Sequence, residues 1–135
     1  MMKCVIVIDE KLPVGLQANT AAALGLSLGN HVEGLIGPDV MDANGLIYKG
    51  ITAIPLPILA ASQSEVNELF KIAMSKSETL IVLGFNTTAQ SYNSYEKYAD
   101  KMKQMPSNTL TFLGVCIYGP KKIVNQLCGQ MKLLR

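Results

Sequence analysis

The chain has 135 residues, 49% of them hydrophobic, three cysteines and a formal net charge of +2. That length is enough to bury one core without disulfide or metal staples, and a pI near 8.4 is short of the balance that announces a nucleic-acid binder. No run approaches the ~20 apolar residues of a membrane span, and the apolar start meets Asp9 too soon for the ~7–15-residue core of a signal peptide. Cys4, Cys116 and Cys128 form no close sequence pair and fit a reducing compartment. The expectation is a single cytoplasmic domain over residues 1–135.

Met2 to Ile8 is apolar and β-branched on consecutive positions, as in a strand covered on both faces. Asp9 to Pro13 turns the chain, and Pro13 opens a helix to about Leu28. Ala18, Ala22, Gly25 and Gly29 leave that helix a stripe with little side chain, while Leu16, Ala21, Leu24 and Leu28 make it apolar nearly all round. Cover on more than one side is therefore expected, a second subunit being one source. Between Gly34 and Gly50, Asn44-Gly45 flanked by Val40-Met41 and Leu46-Ile47-Tyr48 predicts an edge hairpin. Ile51 to Leu59 follows as an extended segment that Pro55 and Pro57 make irregular or an edge.

Ser62 and Glu65 stand at capping-box spacing ahead of a helix whose apolar face is Val66, Leu69, Phe70, Ala73 and Met74. Thr79 to Leu83 predicts a second buried strand, Gly84 to Gln90 a polar connection, and Ser91 to Met105 a helix ended by Pro106. Thr109 to Tyr118 reads as the last long strand; Pro120 opens a helix, Gly129 closes it, and a short exit follows. Strands and helices alternating at crossover-length separations imply a three-layer α/β/α sandwich around a mostly parallel, mixed sheet of four to five strands.

Gly25-Leu-Ser27-Leu-Gly29 matches the serine-hydrolase elbow, but it lies near the end of a helix instead of at a strand-to-helix turn. His31, the only histidine, is better placed to close that helix, since no cysteine pair completes a deaminase-type zinc site around His31-Val-Glu33. No metal and no cofactor is expected, and no phosphate-cradling glycine motif occurs. Tyr92, Tyr95 and Tyr98 interleave with Lys97, Lys101 and Lys103, an arrangement open to single-stranded nucleic acid but diluted by Glu96 and Asp100.

The polar run Asn86, Thr87, Thr88 and Gln90 follows a predicted strand and should lie at its carboxyl end, where open α/β sheets form ligand crevices. If that strand and Met2–Ile8 are parallel neighbours, Asp9, Gln17, Asn19 and Thr20 reach the same edge. These eight residues are the candidate ligand-binding set, and none is a nucleophile or base near neutral pH without a shifted environment. Turns and helix caps are the competing role for the same side chains.

The tail from Leu113-Gly-Val through Gly119-Pro to Val124-Asn-Gln-Leu-Cys-Gly129-Gln-Met-Lys132-Leu-Leu resembles the closing segment of type II peptidyl-tRNA hydrolases. The small-residue first helix with Gly15 and Ala18 to Ala23 is similar to theirs. Ile8 to Asn19, Leu35-Ile-Gly-Pro-Asp39 and the tail together resemble the bacterial family named domain of unknown function 2000, which the resemblance places on the same fold. Against the hydrolase pattern, Leu16 stands where a lysine follows the helix-starting glycine, Thr20 replaces a glutamine and Ala23 a histidine. Phe85 replaces an acid and Ala89 a threonine, leaving only Gln90. The resemblance thus implies the scaffold of an ester hydrolase without its cation and carboxylate. The expected role is binding of a small ligand or partner at the strand carboxyl edge, with other catalysis at that edge or RNA binding as alternatives. Homodimerisation is expected from the apolar first helix and Ile51 to Ala61.

Overall fold

In the computed structural model, which describes Met1–Arg135, β1 (Met2–Asp9) is the centre of the molecule. Val5, Val7, Cys4, Ile6 and Ile8 are all buried, the first two facing one layer and the last three the other. This two-sided burial is why the strand reads as an unbroken apolar run. The chain then makes α1 (Val14–His31), crosses a two-stranded unit of β2 (Val40–Met41) and β3 (Ile47–Tyr48), and enters β4 (Ile58–Ala61) and α2 (Gln63–Met74). β5 (Ile81–Asn86), α3 (Thr87–Ser91) and α4 (Tyr95–Met102) follow. A single 3-10 turn at Ser107–Thr109 leads into β6 (Phe112–Pro120), α5 (Lys121–Cys128) and β7 (Lys132–Leu133).

The five-stranded sheet has the order β5-β6-β1-β4-β7. Only β1 and β4 are parallel; β6 runs antiparallel to both β1 and β5, and β7 antiparallel to β4. The sheet is therefore mixed, with antiparallel pairings in the majority, which corrects the expected mostly parallel arrangement. A continuous apolar run reports burial on both faces and carries no information on strand direction, so β6 gave no warning. The three layers are as expected: α1 covers Cys4, Ile6, Ile8 and Cys116, while α2 and α5 cover Val5, Val7, Val115 and Ile117. No helix is long and apolar enough to cross a membrane.

Other expectations are refined. The Thr79–Leu83 segment becomes an edge strand shifted to Ile81–Asn86, not a fully buried one, and β6 stands between it and β1. The expected helix from Ser91 to Met105 is broken at residues 92–94, leaving α4 of eight residues. The exit after Gly129 contains β7, whose pairing with β4 makes β4 an interior strand despite Pro55 and Pro57 just before it. The Asn44-Gly45 hairpin forms, with Gly45 at φ +86°, the Gly45 N–H bonded to the Asp42 carbonyl and the Asp42 N–H to that of Leu46. That is a type I turn closed by a left-handed glycine. It stands as a separate two-stranded unit and not on the edge of the main sheet. The Ser62–Glu65 capping box is complete, the Ser62 hydroxyl accepting from the Glu65 N–H at 3.2 Å and the Glu65 carboxylate from the Ser62 N–H at 3.0 Å.

Candidate functional site at the carboxyl edge of the sheet

β1, β4 and β5 point the same way, so Asp9, Ala61 and Asn86 end on one edge. There the predicted polar residues divide into two groups. Asp9, 5% exposed, accepts the Lys11 N–H at 3.0 Å on Oδ1, and Gln17 Nε2 donates to the carbonyl of Glu10 at 3.2 Å, fastening the turn from β1 into α1. Thr20 is fully buried and its hydroxyl donates to the Leu16 carbonyl at 2.7 Å, whereas Asn19 is exposed. In the second group Asn86 caps α3: its Oδ1 accepts the Ala89 N–H at 2.8 Å and its Nδ2 donates to Met102 Sδ at 3.6 Å. Thr88 is buried, and Thr87 and Gln90 are exposed. With β6 between them the two groups lie two inter-strand spacings apart, ~10 Å at the backbone. Asp9, Gln17, Thr20 and Asn86 use polar atoms to fix local backbone, which is the turn and cap role weighed above.

Beside the second group is a groove of about 340 Å³. One wall is α1 at Ala23, Leu24 and Ser27; the floor is Leu83, Gly84 and Phe85 of β5; the other wall is Ala89 with Tyr92, Asn93, Ser94, Tyr95 and Tyr98. The break between α3 and α4 builds that wall. Ser94 caps α4 by accepting the Lys97 N–H at 3.4 Å, so Tyr92 stands before the helix and Tyr95 and Tyr98 on it. Tyr95 and Tyr98 meet edge to face with centroids 5.4 Å apart, and Tyr95 is 82% exposed. Burial, then the neighbouring Tyr95, raise the Tyr98 phenol above its ordinary value, so it remains a hydrogen-bond donor at neutral pH.

The floor also offers backbone groups. The Lys121 N–H donates to the Met1 carbonyl, in register with the Met2–Pro120 pair, so odd-numbered β6 residues bond to β1 and even-numbered ones to β5. Ile81, Leu83 and Phe85 pair with those even positions, leaving the N–H and C=O of Val82 and Gly84 directed away from the sheet. The site is thus aromatic, hydroxyl- and amide-bearing, and has no carboxylate, amine, imidazole or thiol on its lining. It can stack and hydrogen-bond a ligand; it holds no general base or nucleophile for neutral pH.

The thiols lie elsewhere. Cys4 and Cys116 sulfurs are 3.6 Å apart in the core under α1. Their hydrogen bond and burial hold the Cys116 thiol well above its ordinary value. Cys128 is pushed up to about 11 by burial. No group of three histidine, cysteine or acidic side chains is placed to hold a metal ion. Sequence reasoning singled out the tyrosines but assigned them to one continuous helix; Asn93-Ser94, good capping residues inside that stretch, was the available signal of the break.

A family profile described as protein of unknown function (DUF2000) matches residues 2–135. The chain belongs to the DUF2000 family. Among solved structures, that of the protein of unknown function Atu0240 from Agrobacterium tumefaciens strain C58 superposes with a TM-score of 0.88 at 16% identity, covering 98% of this chain and 96% of that one. At that identity the likeness speaks for the fold alone. No curated protein matches the chain. Family membership agrees with the resemblance drawn from Ile8–Asn19, Leu35–Asp39 and the tail.

Proposed function

We propose that this DUF2000 domain is a binding protein without peptidyl-tRNA hydrolase activity, and that it takes a small, neutral, flat-ringed molecule in the tyrosine-lined groove. The observation that carries this reading is the chemistry of the lining: three tyrosines, a serine pair, Asn93 and open strand backbone, with no charged side chain among them. Aromatic walls give area and stacking, and a few convergent polar groups fix orientation. A groove with no cationic side chain on its lining gives a phosphate no charge partner, which disfavours a nucleotide or RNA backbone.

The hydrolase resemblance points to the same place. Ala23, Phe85 and Ala89, the positions where that pattern carries a histidine, an acid and a threonine, all line the groove. On this reading the scaffold keeps the site and exchanges its charged chemistry for apolar contact. The chain has no tryptophan, so its tyrosine emission is unmasked. Titration with adenosine is expected to change that emission, adenosine monophosphate to bind more weakly, and Tyr95→Ala to weaken adenosine at least about fivefold, the lower range of one stacked ring. Cleavage of peptidyl-tRNA at enzyme-like rates, or tighter binding of the phosphorylated form, would overturn the proposal.

A further inference from the structure

Residues 38–49 are exposed without interruption, so the β2–β3 hairpin projects as an arm with both faces in solvent. A two-stranded hairpin alone is at best marginally stable in water. This one is nevertheless apolar: Ile36, Val40, Met41, Leu46, Ile47 and Ile51 are 58–78% exposed, and Tyr48 adds a ring at 46%. Seven such side chains, divided between the two faces of the arm, expose roughly 800 Å² of mainly apolar surface, so that one face offers about half of what one partner contributes to a standard stable interface. The arm's carboxylates are already engaged. Asp42 accepts the Tyr48 hydroxyl at 2.7 Å and the N–H groups of Asn44 and Leu46, and Asp39 pairs with Lys49 at 3.8 Å. Beside the arm's base is a concavity of about 720 Å³ walled by Val40, Ile47, Ile51 and Ala53.

A second surface of the same character lies on α1. The helix contains no Asp, Glu, Lys or Arg in its 18 residues, and its outer face carries Val14, Ala18, Ala22, Leu26 and Gly29, with Val14 80% and Leu26 82% exposed. Loss of charge is the compositional mark of an interface centre. Small residues between Val14 and Leu26 let another backbone come close, leaving those two side chains as knobs.

We infer that a second copy of this chain covers both surfaces, the arm of each protomer lying across the partner's α1 about a two-fold axis. The two surfaces are complementary, one apolar with a concavity at its base, the other an uncharged helix face of small residues from which Val14 and Leu26 project. Reciprocal contact would bury one face of each arm together with the outer face of each α1, and two such contacts about the axis reach the ~1,200–2,000 Å² in total that a stable dimer needs. The arm follows α1 directly in the chain and its base, at Leu35, packs in the same core layer as Leu24 and Leu28.

Light scattering on the purified chain is expected to give about 29 kDa, twice 14.6 kDa. Leu26→Lys and Ile47→Lys alter exposed side chains and should each weaken the dimer by about 30-fold or more, since a charge then enters a desolvated contact. A tagged Leu26→Cys chain should also capture an untagged Ile47→Cys chain through a short bismaleimide, the native cysteines being buried; this reads the same contact should a lysine variant fail to fold. A monomeric mass at high concentration, a dimer indifferent to either lysine variant, or no capture would overturn the inference.

Discussion

Gly114 lies on β6 where a Cβ would come within 2.6 Å of Thr20 Cγ2 and 2.8 Å of Ile8 Cδ1, so α1 rests directly on strand backbone there. Gly114→Ala is expected to cost ~1–3 kcal/mol by overpacking. Thr20→Ser, which keeps the hydroxyl bonded to Leu16 and removes the methyl, should recover part of that loss in a double-mutant cycle read by urea unfolding. Thr20 thereby illustrates what one sequence could and could not disclose. Its position near the sheet edge was legible; that its hydroxyl is used within the helix, and its methyl in the core, depends on β6 arriving beneath it. Asn86 is the parallel case on the other side. Asn86→Ala removes the α3 cap and a buried amide contact and should destabilise by ~1–2 kcal/mol, measured in the same way.

Elements were most legible where a local signal decides them. The Ser62–Glu65 box, Pro13 and Pro120 ahead of their helices, and the Asn44-Gly45 turn all act within a few residues, and each formed as expected. The capping box also has a pH signature. Bonds from the Ser62 N–H, then its hydroxyl, hold the Glu65 carboxyl below its ordinary value of 4.5. A depressed carboxyl contributes stability above that value and loses it as pH falls through the folded pKa. Thermal unfolding should therefore show a Glu65-dependent loss only on the acid side of 4.5, which Glu65→Gln removes. Where tertiary contacts decide, the reading strayed. β7 has two residues and exists because β4 offers it an edge. The split at residues 92–94 shortens a helix that amphipathic spacing alone would have continued.

At the scale of the molecule, a three-layer α/β/α order follows from alternating apolar strands and amphipathic helices, and it holds. Strand direction does not follow from burial pattern, so the antiparallel insertion of β6 separated two groups of polar residues expected side by side. The same insertion makes β5 an edge strand, opens its backbone at Val82 and Gly84, and leaves room for the tyrosine-lined groove against α1. The candidate site is thus a product of topology, and its uncharged lining sets its chemistry. Amide chemical-shift mapping with adenosine tests this most directly. Shifts confined to Leu83–Phe85, Ala89 and Tyr92–Tyr98, abolished in Tyr95→Ala, are the predicted result; shifts centred on Asp9 and Gln17, or none at millimolar ligand, would contradict it.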